Sequence, residues 1–504
     1  MWLKFGWRDL RIVSHFVGML VIGIGLAMSI PIAAGLVYRE WGAVLDFVLG
    51  MGVALLAGTL LIHAETRPER VNHTHALAIT ALGWIAASMA AAVPLALSAN
   101  YGSYLDGVFD AVSGLTVSGL TVVTRLDHMA VSHNMWRHLL QLIGGQGIVV
   151  AALSLAVGLR GGAFSLYVAE GRDERILPNV LHTARFIWFV TAVYVVTGTF
   201  VLFGILTHLG MSFDRGILHA FWLTVAAFDT GGFAPQRMNL MYYHSTLVEL
   251  TAMFLMMAGS INFALHAHVW RGARGELWKN LETRVLATVV AAGSMLVAVG
   301  LASSGRFPGG LAFLRKGVFQ VISGHSAGHQ TVYGNQLLEE FGSIGVLAII
   351  IGMAIGGSLS STGGGFKALR VGVITKSIIL QAKQALAPPS GAVRIRYHHI
   401  TERVLTPDVT GAAATVFILY LGTYLMGGVA GAIYGYGVPE ALFESVSATA
   451  NSGLSIGITS PTMPTGLKLV YMFQMWAGRL EFIAVLVLIA QVMLAFNLKG
   501  ALKR

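Results

Sequence analysis

Four clusters of small residues, each ending on a glycine, carry the chemistry that this sequence offers: Thr116-Val117-Ser118-Gly119, Thr230-Gly231-Gly232, Ser326-Ala327-Gly328 and Asn451-Ser452-Gly453. Each interrupts an apolar stretch. Irregular backbone survives at membrane depth only where protein buries it or water lines it. Rings of backbone carbonyls there can replace the hydration shell of a cation, and glycine lets them converge with no side chain in the way. The pattern predicts one wall of an ion pore from each cluster. Gly119, Gly232, Gly328 and Gly453 stand at the centre, and the side chains of Thr116, Ser118, Thr121, Thr230, Ser326, Asn451 and Ser452 serve as ligands or braces.

The elements that must hold these clusters follow from composition. With 504 residues, 55% hydrophobic and 11% charged, the chain has too little charge to wet the surface of a soluble assembly. Apolar runs of bilayer-spanning length, roughly 20 residues, lie at 13–37, 43–63, 76–99, 138–159, 187–206, 247–269, 285–302, 344–380, 409–433 and 471–496. Ten crossings are therefore expected. Most Lys and Arg fall on the side of the termini, notably in 271–284 and 367–403, which places both termini in the cytoplasm. Those residues are needed for orientation, so the net charge of +10 argues only weakly for a nucleic-acid surface. Absence of cysteine excludes disulfides and thiolate metal sites. The start carries Lys4, Arg8 and Arg11 before a run long enough to span, which does not read as a cleavable signal.

The clusters recur with a period of roughly 110 residues, the mark of an internal repeat. Each repeat reads as a spanning run, a short segment, the glycine cluster and a second spanning run. The short segments, 105–117, 217–229, 311–325 and 442–450, cannot cross. They read as re-entrant half-helices whose carboxyl-end dipoles favour a cation at the glycines. Farther along, each second run is interrupted in its turn, by Gly144-Gly145-Gln146-Gly147, Gly259-Ser260-Ile261-Asn262, the stretch Gly356 to Gly365, and Gly478-Arg479-Leu480-Glu481. Packing and function both remain open for these breaks. The predicted architecture is an all-α polytopic membrane protein: an N-terminal helix pair (1–70) and four pseudo-repeated span, half-helix, span units (71–165, 166–275, 276–400 and 401–504) around a central pore.

On residues 113–121, 356–367 and 478–481 the chain resembles the Trk/Ktr/HKT superfamily of potassium transporters. It is closest to the TrkH and TrkG branch, which shares the additional leading helix pair. The resemblance implies a potassium uptake channel or transporter of the bacterial inner membrane, a homodimer with one pore per subunit, gated by an intramembrane loop and a ring of cytoplasmic TrkA-type nucleotide-binding subunits. It implies no cofactor, with K+ as the transported ion held at the filter residues. Carried over onto this sequence, Gly119, Gly232, Gly328 and Gly453 are filter glycines, with Val117, Gly231 and Ala327 beside them. Gly356, Gly357, Ser358, Ser360, Ser361, Thr362, Gly363, Gly364 and Gly365 match the obstructing loop, and Arg479 matches a basic residue at the same constriction. Glycine rather than serine at 119 resembles the potassium-selective members. His325, His329 and Asp229 depart from the family pattern.

Several residues keep more than one reading. An arginine in an apolar run costs at least ~2.5 to 3.5 kcal/mol on insertion scales, so Arg479 must face water or a partner. It is either a positive barrier below the filter or part of a structural ion pair, and Glu481 is poorly placed for an intrahelical one. His325 and His329 could sense pH, hydrogen-bond behind the filter or share a metal. Asp229 could concentrate cations or brace. Rival functions are a sodium channel, a proton- or sodium-coupled symporter, and a membrane enzyme using His266/His268 or His398/His399. The G-x-G-x-x-A match at 363–368 follows no strand and carries little weight.

Overall fold

The computed structural model describes residues 6–65, 71–147, 180–306, 309–388 and 393–495. Among these, seven helices are long and apolar enough to cross a membrane, or nine if two sharply bent pairs each count as one span. The expected run at 138–159 opens as helix Val131–Gln146; its remainder, and the expected boundary at 165, lie outside the described residues. The run at 344–380 is not one span. Helix Gly334–Ile355 stops, residues 356–367 are non-helical, and Ala368–Leu386 begins a new helix. Mean hydropathy does not register this break, because glycine and serine lower it little while leaving the backbone free to turn.

Helices Trp7–Ala27, Ser29–Tyr38 and Trp41–Ile62 lie ahead of residue 71. Trp7–Ala27 packs on Trp41–Ile62 through glycine against glycine: a Cβ on Gly18 would meet the Gly58 carbonyl at 2.6 Å, and one on Gly58 would meet the Gly18 carbonyl at 2.8 Å. Small residues allow this approach where lipid supplies no hydrophobic drive. The connection also caps a distant helix. Glu40 accepts the N–H groups of Val131 and Ser132 at 2.8 and 3.0 Å, satisfying donors at the start of Val131–Gln146 whose own N-cap is Ala130.

Short helices lie at the four expected segments, with slightly shifted ends. They are Tyr104–Leu115, Phe213–Phe228, residues 310–324 with a π-helical stretch at Leu314–Val318, and Val438–Thr449. After each glycine segment a second helix returns. That of the second unit bends by 100° between Gly259 and Phe263, and that of the fourth by 114° between Arg479 and Ile483. One feature is added to the helical architecture, an antiparallel hairpin of strands Arg396–His399 and Thr401–Val404.

Two ion pairs join distant elements, one buried on both sides and one with its arginine about one-third exposed. Lys468 meets Asp106 at 2.6 Å, and Arg315 makes a two-pronged pair with Glu249 at 2.6 and 2.8 Å. Asp106 and Arg315 lie at the same register ahead of Gly119 and Gly328, and Lys468 and Glu249 at the same register ahead of Gly478 and Gly259. The two pairs thus use equivalent positions with their signs exchanged. Removing one partner strands the other, a loss of about 3–5 kcal/mol for a buried pair. Lys468→Met should therefore lower the thermal unfolding temperature in detergent, and adding Asp106→Leu should recover most of it. Equal melting of wild type and Lys468→Met would remove this pair from the stability of the bundle.

Candidate ion-conduction site

Each half-helix ends in a turn that aims the chain back across the centre. The N–H groups of Ser118, Gly231 and Ser452 return to Ser113, Ala226 and Ser447 at 2.8 to 3.0 Å, and the residues before them, Val117, Thr230 and Asn451, adopt left-handed φ of 52°, 54° and 52°. Asparagine tolerates that conformation. Val117 and Thr230 are β-branched, so each stores about 1–3 kcal/mol of strain that the surrounding packing must hold. The third segment is built differently: the equivalent bond runs from Gly328 itself to Ser323 at 3.0 Å.

The four glycines close a ring in chain order. The missing side chain of Gly119 points at Gly231 O, 2.6 Å from an ideal Cβ, that of Gly232 at Ala327 O, that of Gly328 at Ser452 O, and that of Gly453 at Ser118 O. All four have positive φ, between 66° and 92°. No residue with a Cβ fits any of these places without moving the neighbouring unit's backbone.

The side chains predicted as ligands or braces are engaged with protein. Asn451 Nδ2 donates to Ser118 Oγ at 2.8 Å and to Met475 O at 2.9 Å, and the Thr116 and Ser118 hydroxyls lie 2.7 Å apart. Thr121 donates to Asp110, Thr230 to Asp229 O, Ser326 to Ile322 O and Ser452 to Gly324 O. Asp229 is fully buried and accepts from Gln146 Nε2 at 2.6 Å, a position behind the segment and not at its mouth. Backbone carbonyls are the oxygens turned toward the four glycines, and of these Gly231 O also accepts from Gln141 Nε2 at 2.5 Å.

Sequence reasoning missed the supports behind two segments. Asp110 receives Val122 N–H at 3.0 Å, the Thr121 and Tyr101 hydroxyls, and Arg137 Nε at 3.2 Å, while the Arg137 guanidinium lies 4.1 Å from the centre of the Phe233 ring. Glu444 accepts the N–H groups of Ile456, Ile458 and Thr459 at 3.1 to 3.3 Å. The signal was present: Asp110 and Glu444 stand the same number of residues ahead of Gly119 and Gly453, one buried carboxylate in each of two half-helices.

Below the ring, the stretch 356–367 crosses from unit to unit. Thr362 donates to Phe228 O at 3.0 Å and Gly259 O at 2.8 Å, Ser358 N–H to Ser260 O at 2.9 Å, and Gly364 abuts Ala450 O. Lys367 Nζ folds back on Gly363 O. Gly356 and Gly365 have φ of 69° and 78° and touch each other, Gly357 N–H reaches Gly364 O, and Ser360 N-terminal to the Ser361 hydroxyl bond takes φ 50°. Arg479 donates to Thr362 O at 2.9 Å and to Gly144 O and Gly145 O at the end of the first unit's second helix. Glu481 pairs instead with Arg370. His325 Nδ1 lies 3.3 Å from Gly356 O and His329 Nδ1 3.0 Å from Asn239 Oδ1; the two rings are buried with different partners. Among the described residues no group of three His, Cys, Asp or Glu side chains converges as a metal site.

The family model described as TrkH, cation transport protein, matches residues 45–496. An uncharacterized cation transporter of Methanocaldococcus jannaschii is 29% identical over 96% of this chain and 96% of its own length. The Trk system potassium uptake protein TrkH of Halomonas elongata is 28% identical, and that of Escherichia coli 27%, each over 95% of this chain and 98% of the relative. The crystal structure of the potassium transporter TrkH from Vibrio parahaemolyticus has a similar fold, with a TM-score of 0.81 at 22% identity over 95% of this chain and 98% of that one. These relatives are named as transporters, not enzymes.

Glu444→Ala should leave the donors of 456–459 unsatisfied, each costing about 1–3 kcal/mol when buried. Hydrogen exchange at Ile456, Ile458 and Thr459 should accelerate, with little change in Trp41–Ile62. Unchanged protection there would show that Glu444 does not hold the segment.

Proposed function

Because the chain belongs to the TrkH family of cation transport proteins, we propose that it is a potassium uptake protein conducting K+ inward through the ring of Gly119, Gly232, Gly328 and Gly453, driven by the membrane potential. The observation that carries this reading is the closure of the ring, each glycine facing the carbonyl of the next segment. Carbonyls held that closely can offset the dehydration of a cation. The setting is a bacterial inner membrane with cytoplasmic termini, supported by the Lys and Arg bias. The assembly is a homodimer regulated by a TrkA-type nucleotide-binding subunit, as the family implies, and the four units have the limits read from the sequence. Potassium against sodium flux in liposomes, with and without that subunit, tests it. Gly119→Ser should weaken discrimination, because its Cβ displaces Gly231 O and its hydroxyl adds a ligand. Selectivity that survives the change would take Gly119 out of the filter.

The loop 356–367 and Arg479 form one gate in this proposal. They share the Thr362 O hydrogen bond, and the guanidinium brings positive charge to the constriction. Shortening 358–365, or Arg479→Ala, should raise flux without the partner, and the combination should be less than additive. Unchanged or reduced flux in folded protein would assign the region to bundle support.

His325 and His329 act as braces in this reading, since each ring bonds to backbone or amide away from the ring of glycines. Replacing both with Gln should leave the dependence of flux on external pH unaltered through the range where histidine ordinarily titrates. A flattened profile would instead assign them pH sensing.

A further inference from the structure

On the face that the charge bias assigns to the cytoplasm, the hairpin Arg396–His399 and Thr401–Val404 lines one side of an open pocket of about 290 Å³. Lys279, Arg284, Lys376 and Arg396 bring four cations to its lining from before and within helix Leu281–Ser303, from helix Ala368–Leu386 and from the hairpin. The lining holds one carboxylate, Glu402, which already meets His398 Nδ1 at 3.0 Å. Arginine forks and lysine ammonium groups converging on a small space suit a phosphate group, which offers oxygens to several donors at once.

The pocket wall is tied to the loop below the glycine ring. His399, next to His398 on the first strand, is fully buried, with Nδ1 3.7 Å from Glu282 Oε2. Glu282 is 1% exposed, and its Oε1 accepts the Leu359 N–H at 2.6 Å. Its Oε2 receives Asn262 Nδ2 at 3.4 Å, and Asn262 caps the helix after the 100° bend of the second unit. One buried carboxylate therefore lies between the hairpin, the loop and a helix break, with Asn280 Oδ1 also 3.5 Å from His399 Nδ1.

We propose that this pocket is a regulatory site for a phosphate group and that His399 and Glu282 carry its occupancy to the loop 356–367. The proposal deepens the gating reading above and rests on it only for the consequence on flux.

The chain has no cysteine, so Ser361→Cys provides a single thiol in the loop. Its modification rate by a small thiol reagent is measured in detergent with inorganic phosphate against chloride at matched ionic strength. A second arm compares vesicles of phosphatidylglycerol with vesicles of phosphatidylcholine. The rate should change by roughly fivefold or more in at least one arm. A response to inorganic phosphate identifies a soluble ligand, and a response confined to phosphatidylglycerol identifies a lipid headgroup. Lys376→Gln with Arg396→Gln should abolish the response. Glu282→Gln should retain binding by calorimetry and lose the rate change, and His399→Asn takes its place if that variant does not fold. No response in either arm, or a full response in the double variant, overturns the site. A full response in the Glu282 or His399 variant overturns the relay. Ion flux is not measured, so failure here is distinct from failure of the potassium reading.

Discussion

A glycine pressed against the last carbonyl of a half-helix is the contact on which the centre of this molecule depends. Gly144 lies on Leu115 O, Gly259 on Phe228 O and Gly478 on Thr449 O, each so close that a Cβ would overlap the oxygen. The three contacts seat three half-helix ends at one depth. Just beyond each glycine the second helix stops or bends, so the residues that allow the approach also begin the breaks. Packing and interruption, open alternatives in the sequence, are two consequences of the same small residues.

Broken helices in a membrane leave carbonyls and N–H groups to be satisfied, and the structure does this with charge and with neighbouring loops. Arg479 serves the end of the first unit's second helix and the loop of the third, Thr362 serves Gly259, and Glu282 serves Leu359. The five donors of an arginine suit several backbone acceptors at once. Glu481 pairs with Arg370 at the start of helix Ala368–Leu386.

The third unit departs from the others at each level. Its half-helix contains a π-helical stretch, its glycine turn closes on Gly328, and His325 takes the end position that Thr116, Asp229 and Ala450 occupy elsewhere. The imidazole fills the space beside Gly352. The same unit carries the long glycine and serine stretch, so the largest local departure lies where the chain crosses beneath the other half-helices.

By itself the sequence determined what composition and local pattern dictate: a polytopic helical chain, four half-helices too short to cross, and four glycines where irregular backbone had to be. Apolar length and glycine placement act locally, so they are readable one segment at a time. Only tertiary structure decided which groups meet. The split of 344–380, the pairing of Glu481 with Arg370, the burial of Asp229 behind its segment, and the carboxylate supports at Asp110 and Glu444 all join residues from different turns or different units. His398 lies 2.8 Å from Glu276, 122 residues away in the chain. Partners of a buried polar group are set by whichever element is packed against it, and that is a property of the assembled bundle.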